Sequence, residues 1–179
     1  GAGKETLQKI KRVKSKIWVP KRPDDYLKLQ PEVVLVQQEF PIRRVSIWGH
    51  ERFAFMSNPD PLAEDWSILS HFVSRGRAGG TVGRNLRFLV RDKKTKKYIG
   101  ILCLSGDFMD LKGRDDAIGW SAGIRYRDKM IEHTAIGSVI VPTQPFGFNY
   151  VGGKLLSLLL LSDVVQNAWE QVYGKKLVG

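Results

Sequence analysis

Asp107, Asp110, Asp115 and Asp116 stand within ten residues of one another. A carboxylate held within hydrogen-bond reach of an amine or a base nitrogen can take its proton, provided burial raises the carboxylate's pKa. Asp107 is the first candidate for that work, because it follows the apolar run Tyr98–Ser105 directly and adjoins Phe108; Asp115 is the second. The alternative is that these are solvated turn aspartates. His133, next to Glu132, could serve as a base or an orienting donor, or be an ordinary surface histidine. His50 and His71 are far from it in sequence, and Cys103 is the one cysteine, so the chain shows no metal-ligand spacing and no metal is expected. A nucleophile elbow, a Ser-His-Asp order and a Walker loop are also missing, which disfavours hydrolase and P-loop chemistry.

A second constellation is suited to binding. Asn149, Tyr150, Gly152, Gly153 and Lys154 precede an apolar segment that reads as a helix. Two glycines open the backbone to a ligand, and a lysine adds charge to the unpaired amides of a helix start. A tight strand-to-helix connection would use the same residues. Aromatic residues nearby, Phe146, Phe148 and Tyr150, together with Trp120, could stack an extruded base or fill a core.

The third feature is charge. The chain of 179 residues has a net charge of +11. Residues 1–22 supply +7 of it, through Lys9, Lys11, Arg12, Lys14, Lys16 and their neighbours against Glu5 alone. Such a segment gains affinity for DNA or RNA by releasing counterions, and the Gly- and Arg-rich stretch Ser74–Arg87 adds Arg75, Arg77 and Arg84 as phosphate ligands. A solubilising tail is the alternative, against which stand the apolar residues Ile17, Trp18 and Val19.

The elements that must position these groups follow from pattern. Pro20, Pro23, Pro31 and Pro41 divide the region up to Ile42 into extended pieces, which reads as a basic arm over residues 1–42 lying on a core formed by 43–179. Glu32–Phe40 is a candidate strand, and Arg44–Phe55 lacks a helical period. Asp60-Pro61 starts a helix over Leu62–Arg75, with the aspartate as cap and the proline at the first position. Arg87–Asp92 and Tyr98–Ser105 flank the turn KKTKK as a β-hairpin. Arg125–Thr134 reads as a helix, Ser138–Val141 as a buried strand, Lys154–Tyr173 as one deeply buried helix capped by Gly174, and Lys175–Val178 as the start of a further strand. The fold class is therefore α/β (α+β). The apolar run Leu155–Leu161 ends at Ser162 and Asp163, short of the roughly 20 residues of a membrane span. No membrane partner is expected, and with no secretory leader pattern the expected location is cytoplasmic, in a host cell or a virion.

Hairpin, connection, helix, strand, glycine loop, long helix and strand, in this order, resemble the N-acetyltransferase (GNAT) superfold. Asn149 and Gly152 occupy the first and fourth places of that family's pyrophosphate-loop pattern, and Lys154 the sixth. The resemblance implies a mixed sheet with two splayed parallel strands, a CoA- or nucleotide-type donor on the loop, and Asp107 delivered to the splay. RFLVRD, YIGILCLSGDF, GRDDAIGW, SVIVP and AWEQVYGKKLV together resemble the Druantia-type anti-phage protein A family and its phage relatives over about residues 85–179. That resemblance implies a DNA-associated defence or mobile-element protein. It also implies further strands beyond Gly179, so that a C-terminal fragment or a second subunit would complete the site. Two functions stay open: a group transferase acting on a DNA base, and a non-catalytic nucleic-acid-binding or virion structural protein on the same scaffold.

Overall fold

The structure, a computed structural model, describes residues 2–36, 41–47, 50–55, 60–73, 84–107, 112–121, 123–124, 129–148 and 152–178. At its centre is the expected hairpin, β4 (Asn85–Asp92) against β5 (Tyr98–Gly106). Asp92 closes the turn by accepting hydrogen bonds from the backbone N–H and the hydroxyl of Thr95 at 2.8 and 2.7 Å. β1 (Pro31–Val36) pairs with the outer side of β4, and β6 (Ala135–Pro142) with that of β5, giving the order β1-β4-β5-β6. A separate two-stranded ladder joins β2 (Pro41–Ile47) to β3 (His50–Phe55). All of these pairings are antiparallel. The splayed parallel pair implied by the GNAT resemblance is therefore not found among the described residues.

Residues Tyr98 to Ser105 of β5 are all buried, because helices cover both faces of the sheet. On one face Leu86, Phe88, Leu102 and Leu104 pack against Leu156 of α4 (Gly152–Leu160) and Val165 and Trp169 of α5 (Asp163–Tyr173). Two glycines permit this approach. A Cβ at Gly100 would lie 2.5 Å from Leu156 Cδ1, and one at Gly137 2.5 Å from Leu160 Cδ2, so the i and i+4 leucines of α4 rest directly on strand backbone. On the other face Leu89, Ile101 and Cys103 meet Val13 of α1 (Ala2–Ser15) and Trp66 and Leu69 of α2 (Pro61–Val73). The Trp66 indole N–H lies 3.2 Å from each of the carbonyls of Phe88 and Leu102, which fixes α2 across the hairpin. Asp60 caps α2 as expected, its Oδ1 accepting the N–H of Leu62 at 2.9 Å.

Four local expectations differ from the structure. Residues 2–15 are helical rather than extended, since the prolines begin only at Pro20 and Lys, Leu, Gln and Arg favour helix. The long C-terminal helix is two helices, broken where Ser162 turns to extended backbone and caps α5, its carbonyl accepting the N–H groups of Val165 and Gln166. It is buried along one face, and Leu161 at the break is 68% exposed. Lys175–Val178 joins no ladder; the Val178 N–H donates to the carbonyl of His133 at 3.0 Å. Of the candidate helix Arg125–Thr134, residues 125–128 lie outside the described residues, and Met130–His133 is a single 3-10 turn.

α1 is held by a buried carboxylate. Asp65 of α2, 1% exposed, accepts hydrogen bonds from the Tyr98 hydroxyl at 2.5 Å, from Lys16 Nζ at 2.7 Å and from an Arg12 nitrogen at 3.2 Å. Beside it Glu64 pairs with Lys9 at 2.9 Å and Arg12 at 2.6 Å. The backbone then stitches on to β5: Trp18 N–H donates to Tyr98 O at 2.8 Å, and Tyr98 N–H to Lys16 O at 2.7 Å.

Burial pushes the Tyr98 phenol well above its ordinary value, and the hydrogen bond to Asp65 and its charge push it further. A pKa raised on folding contributes stability in full below the unfolded value of about 10, and that contribution is lost as pH rises toward the folded value. Denaturant unfolding between pH 9 and 11 should therefore show stability falling with pH, and Tyr98→Phe should make that fall shallower by up to about 1.4 kcal/mol per pH unit. An unchanged alkaline slope in the variant would contradict the contact.

Candidate functional site

The end of β5 remote from the hairpin turn is polar. Asp107 follows the strand, and α3 (Lys112–Ile118) brings Arg114 and Asp115 back to it. One guanidinium serves both carboxylates: Arg114 pairs with Asp107 through one terminal nitrogen, and with Asp115 Oδ1 through Nε at 2.8 Å and the other terminal nitrogen at 2.5 Å. The side chains of Asp107 and Asp115 are 6% and 5% exposed, so this is a buried ion triad. The ring of Trp120 lies 5.4 Å from the Arg114 guanidinium carbon, and the Trp120 N–H donates to the Asp115 carbonyl at 2.8 Å. The two aspartates chosen from sequence thus meet. Their partner Arg114 is not singled out by the sequence reading, although its place directly before Asp115 in GRDDAIGW is a visible signal.

His133 shares that end of the sheet, since Gly106 pairs with Ala135 just beyond it. It is half-buried, and its Nδ1 lies 2.8 Å from the carbonyl of Lys176. Arg84, expected on phosphate, turns inward as a brace. It donates to the carbonyls of Glu132 and Ile131 at 2.7 and 3.1 Å and lies over the rings of Trp169 and Tyr173. Next to it is a polar chain that sequence reasoning missed: Ser105 Oγ donates to Asn85 Oδ1 at 2.7 Å and is 2.6 Å from Ser138 Oγ, which reaches the Cys103 carbonyl at 3.3 Å. Serines inside otherwise apolar strands were the available signal.

The glycine loop is placed apart from this cluster. Asn149 and Tyr150 lie outside the described residues. Gly152 is buried, and a Cβ there would stand 2.9 Å from the carbonyl oxygen of Phe146, so packing against the chain already explains the glycine. Gly153 and Lys154 are exposed at the first turn of α4. Phe146 is core, its ring centroid 6.0 Å from that of Trp18 and 6.4 Å from that of Tyr26.

Of the cations chosen for nucleic acid, Lys9, Arg12 and Lys16 face Glu64 and Asp65, whereas Lys11 and Lys14 are exposed on α1. The hydrogen bond that Lys9 donates to Glu64 raises the Lys9 pKa and lowers that of Glu64. Arg75 and Arg77 lie outside the described residues. No group of residues able to hold a metal ion is present among the described residues. Nor is any of the described helices long and apolar enough to cross a membrane.

The family model described as Druantia protein DruA matches residues 66–178. The chain belongs to this family. The Druantia protein DruA of Escherichia coli (strain UMEA 4076-1) is 32% identical over 92 residues, which is 51% of this chain and 22% of the relative. The chain therefore spans far less than two thirds of that DruA protein. No solved structure matches. The DruA match begins at Trp66, so it includes most of α2 as well as the hairpin, the ion triad and both C-terminal helices, and it leaves α1 and β1 outside.

Loss of the shared guanidinium should expose the cost of two buried carboxylates. Arg114→Met is expected to lower stability by about 3 kcal/mol near neutral pH. A loss of less than about 0.5 kcal/mol would show that Arg114 does not hold the site together.

Proposed function

We propose that this chain is a DNA-associated component of a Druantia-type anti-phage defence system, acting first as a binding module in the cytoplasm. The observation that carries the reading is membership of the DruA family combined with a positive charge excess that the fold's own acids do not cancel. A chain with this excess gains from a polyanionic partner through counterion release. The remaining length of a full DruA protein, or a second subunit, is the natural candidate to complete the polar end of the sheet.

A second reading, group transfer to a DNA base from a CoA- or nucleotide-type donor, is favoured by the buried Asp107–Arg114–Asp115 triad. In it, a base nitrogen bonds to the transferred group as the group's bond to the donor breaks, the donor fragment leaves as its anion (for acetyl-CoA, the CoA thiolate), and Asp107 receives the proton the nitrogen loses. The binding reading needs only the charge excess and no donor, so it stands first.

Duplex affinity measured by fluorescence anisotropy should fall about 100-fold between 50 and 200 mM salt, as expected for roughly four phosphate contacts. Absence of binding at 50 mM salt would overturn the proposal. For the second reading, mass spectrometry of nucleosides after incubation with acetyl-CoA should reveal a modified base whose yield Asp107→Asn lowers about 10²- to 10⁴-fold. A modified base formed equally by the variant would remove Asp107 from the chemistry.

A further inference from the structure

The fold uses much of the positive charge on α1 to hold that helix on α2. The uncancelled charge gathers elsewhere. Between the segment Trp18–Leu29 and the β4–β5 turn is an open cleft of about 350 Å³ whose walls carry Lys21, Lys28, Lys94 and Lys97. All four lysines are exposed, and among the described residues none makes a side-chain ion pair. Lys28 adds its field to Asp25 without a contact.

The two acids in the cleft are already engaged by backbone. Asp25 Oδ2 accepts the N–H groups of Lys21 at 2.7 Å and Arg22 at 2.9 Å, and these bonds hold its carboxyl below the usual range. Asp92 is buried, which pushes its carboxyl up, but bonds from Thr95 and from the Gln30 N–H outweigh that and keep it low. Both acids therefore stay ionised as parts of turns, with their lone pairs directed into the chain. The four lysines that line the cleft are exposed.

The walls are fixed before any ligand arrives. One is stitched to β5 through Trp18 and Tyr98, the other is the hairpin turn itself, so little ordering cost opposes binding. A second hollow of about 350 Å³, lined by Pro20, Lys21, Arg22, Pro23 and Tyr26, adjoins the first and shares Lys21 with it. The cleft thus continues its basic lining, through Lys21 and Arg22, on to this second open hollow. Its aromatic residues are not free to stack: Trp18 is 6% exposed, and its ring is set edge-on to Tyr26 at 5.2 Å and to Phe146 at 6.0 Å. Single-strand grooves rely on open rings for base stacking, whereas lysines alone read phosphate as point charges.

We propose that this cleft seats the sugar–phosphate backbone of duplex DNA, without sequence preference, through Lys21, Lys28, Lys94 and Lys97. The inference deepens the DNA-binding reading above and rests on it. It moves the contact from α1 and the Gly- and Arg-rich stretch to the hairpin end of the sheet.

The test compares two triple variants of equal charge change against a mixed-sequence duplex. Lys21, Lys94 and Lys97 are changed together to Gln in one, and Lys112, Lys129 and Lys176, exposed lysines on the elements around the polar end, in the other. The cleft variant should flatten the slope of log affinity against log salt by about 2–3 and weaken binding at least about tenfold at 100 mM salt, while the other stays near the unaltered protein. Melting temperature should be unchanged in both, since these side chains are exposed. Equal weakening by the two variants would overturn the cleft and leave only attraction by net charge. Tighter binding of single strands, or an equal lysine dependence for polyglutamate or anionic vesicles, would overturn the duplex assignment. No binding by the unaltered protein would instead remove the DNA reading itself.

Discussion

The buried carboxylate of Asp65 determines how the basic N-terminal segment sits. A carboxylate removed from water costs several kcal/mol unless charged and hydrogen-bonding partners surround it. Here the partners are Tyr98, which opens β5, Arg12 of α1, and Lys16 just after α1. Val13 can then pack beneath the sheet, and Trp18 can leave α1 along Tyr98 to join the opposite core. The basic segment is thus part of the folded body. Its cations have a structural task, which changes what the net charge says about ligand binding.

That distinction explains which parts of the molecule were legible in the sequence. The hairpin, the Asp60 cap and the strand around Ser138–Val141 carry local signals: a polar turn between apolar runs, a capping aspartate before proline, a β-branched stretch before another proline. The family was also legible, because motifs on these elements keep their order. α1 is not legible as a helix from the proline pattern, because the prolines that mark extended chain all follow it and residues 2–15 contain none. The α4–α5 break turned on a weak local signal, Ser162-Asp163, set against a strong apolar period.

For the candidate site the limit is long-range pairing. Asp107 and Asp115 could be chosen by type and spacing, but only the fold shows that a single arginine holds both. Arg84 illustrates the reverse: a residue chosen for its charge in a glycine-rich stretch is drawn inward by the carbonyls of Ile131 and Glu132 and by two aromatic rings. Gly152 likewise answers to the Phe146 carbonyl. The partners of Arg84 lie dozens of residues away and that of Gly152 on the preceding turn, beyond the reach of periodicity.

The sheet consequently separates two polar regions. β5 spans nine residues, or about 30 Å of strand rise, with the lysine cleft at its start and the ion triad at its end. Lysine-reactivity footprinting of the protein with and without duplex DNA tests most directly which region meets DNA. Protection of Lys21, Lys28, Lys94 and Lys97 with unchanged labelling of Lys112, Lys129 and Lys176 is the predicted result. Protection concentrated on Lys112, Lys129 and Lys176, with the cleft lysines labelled as before, would contradict it.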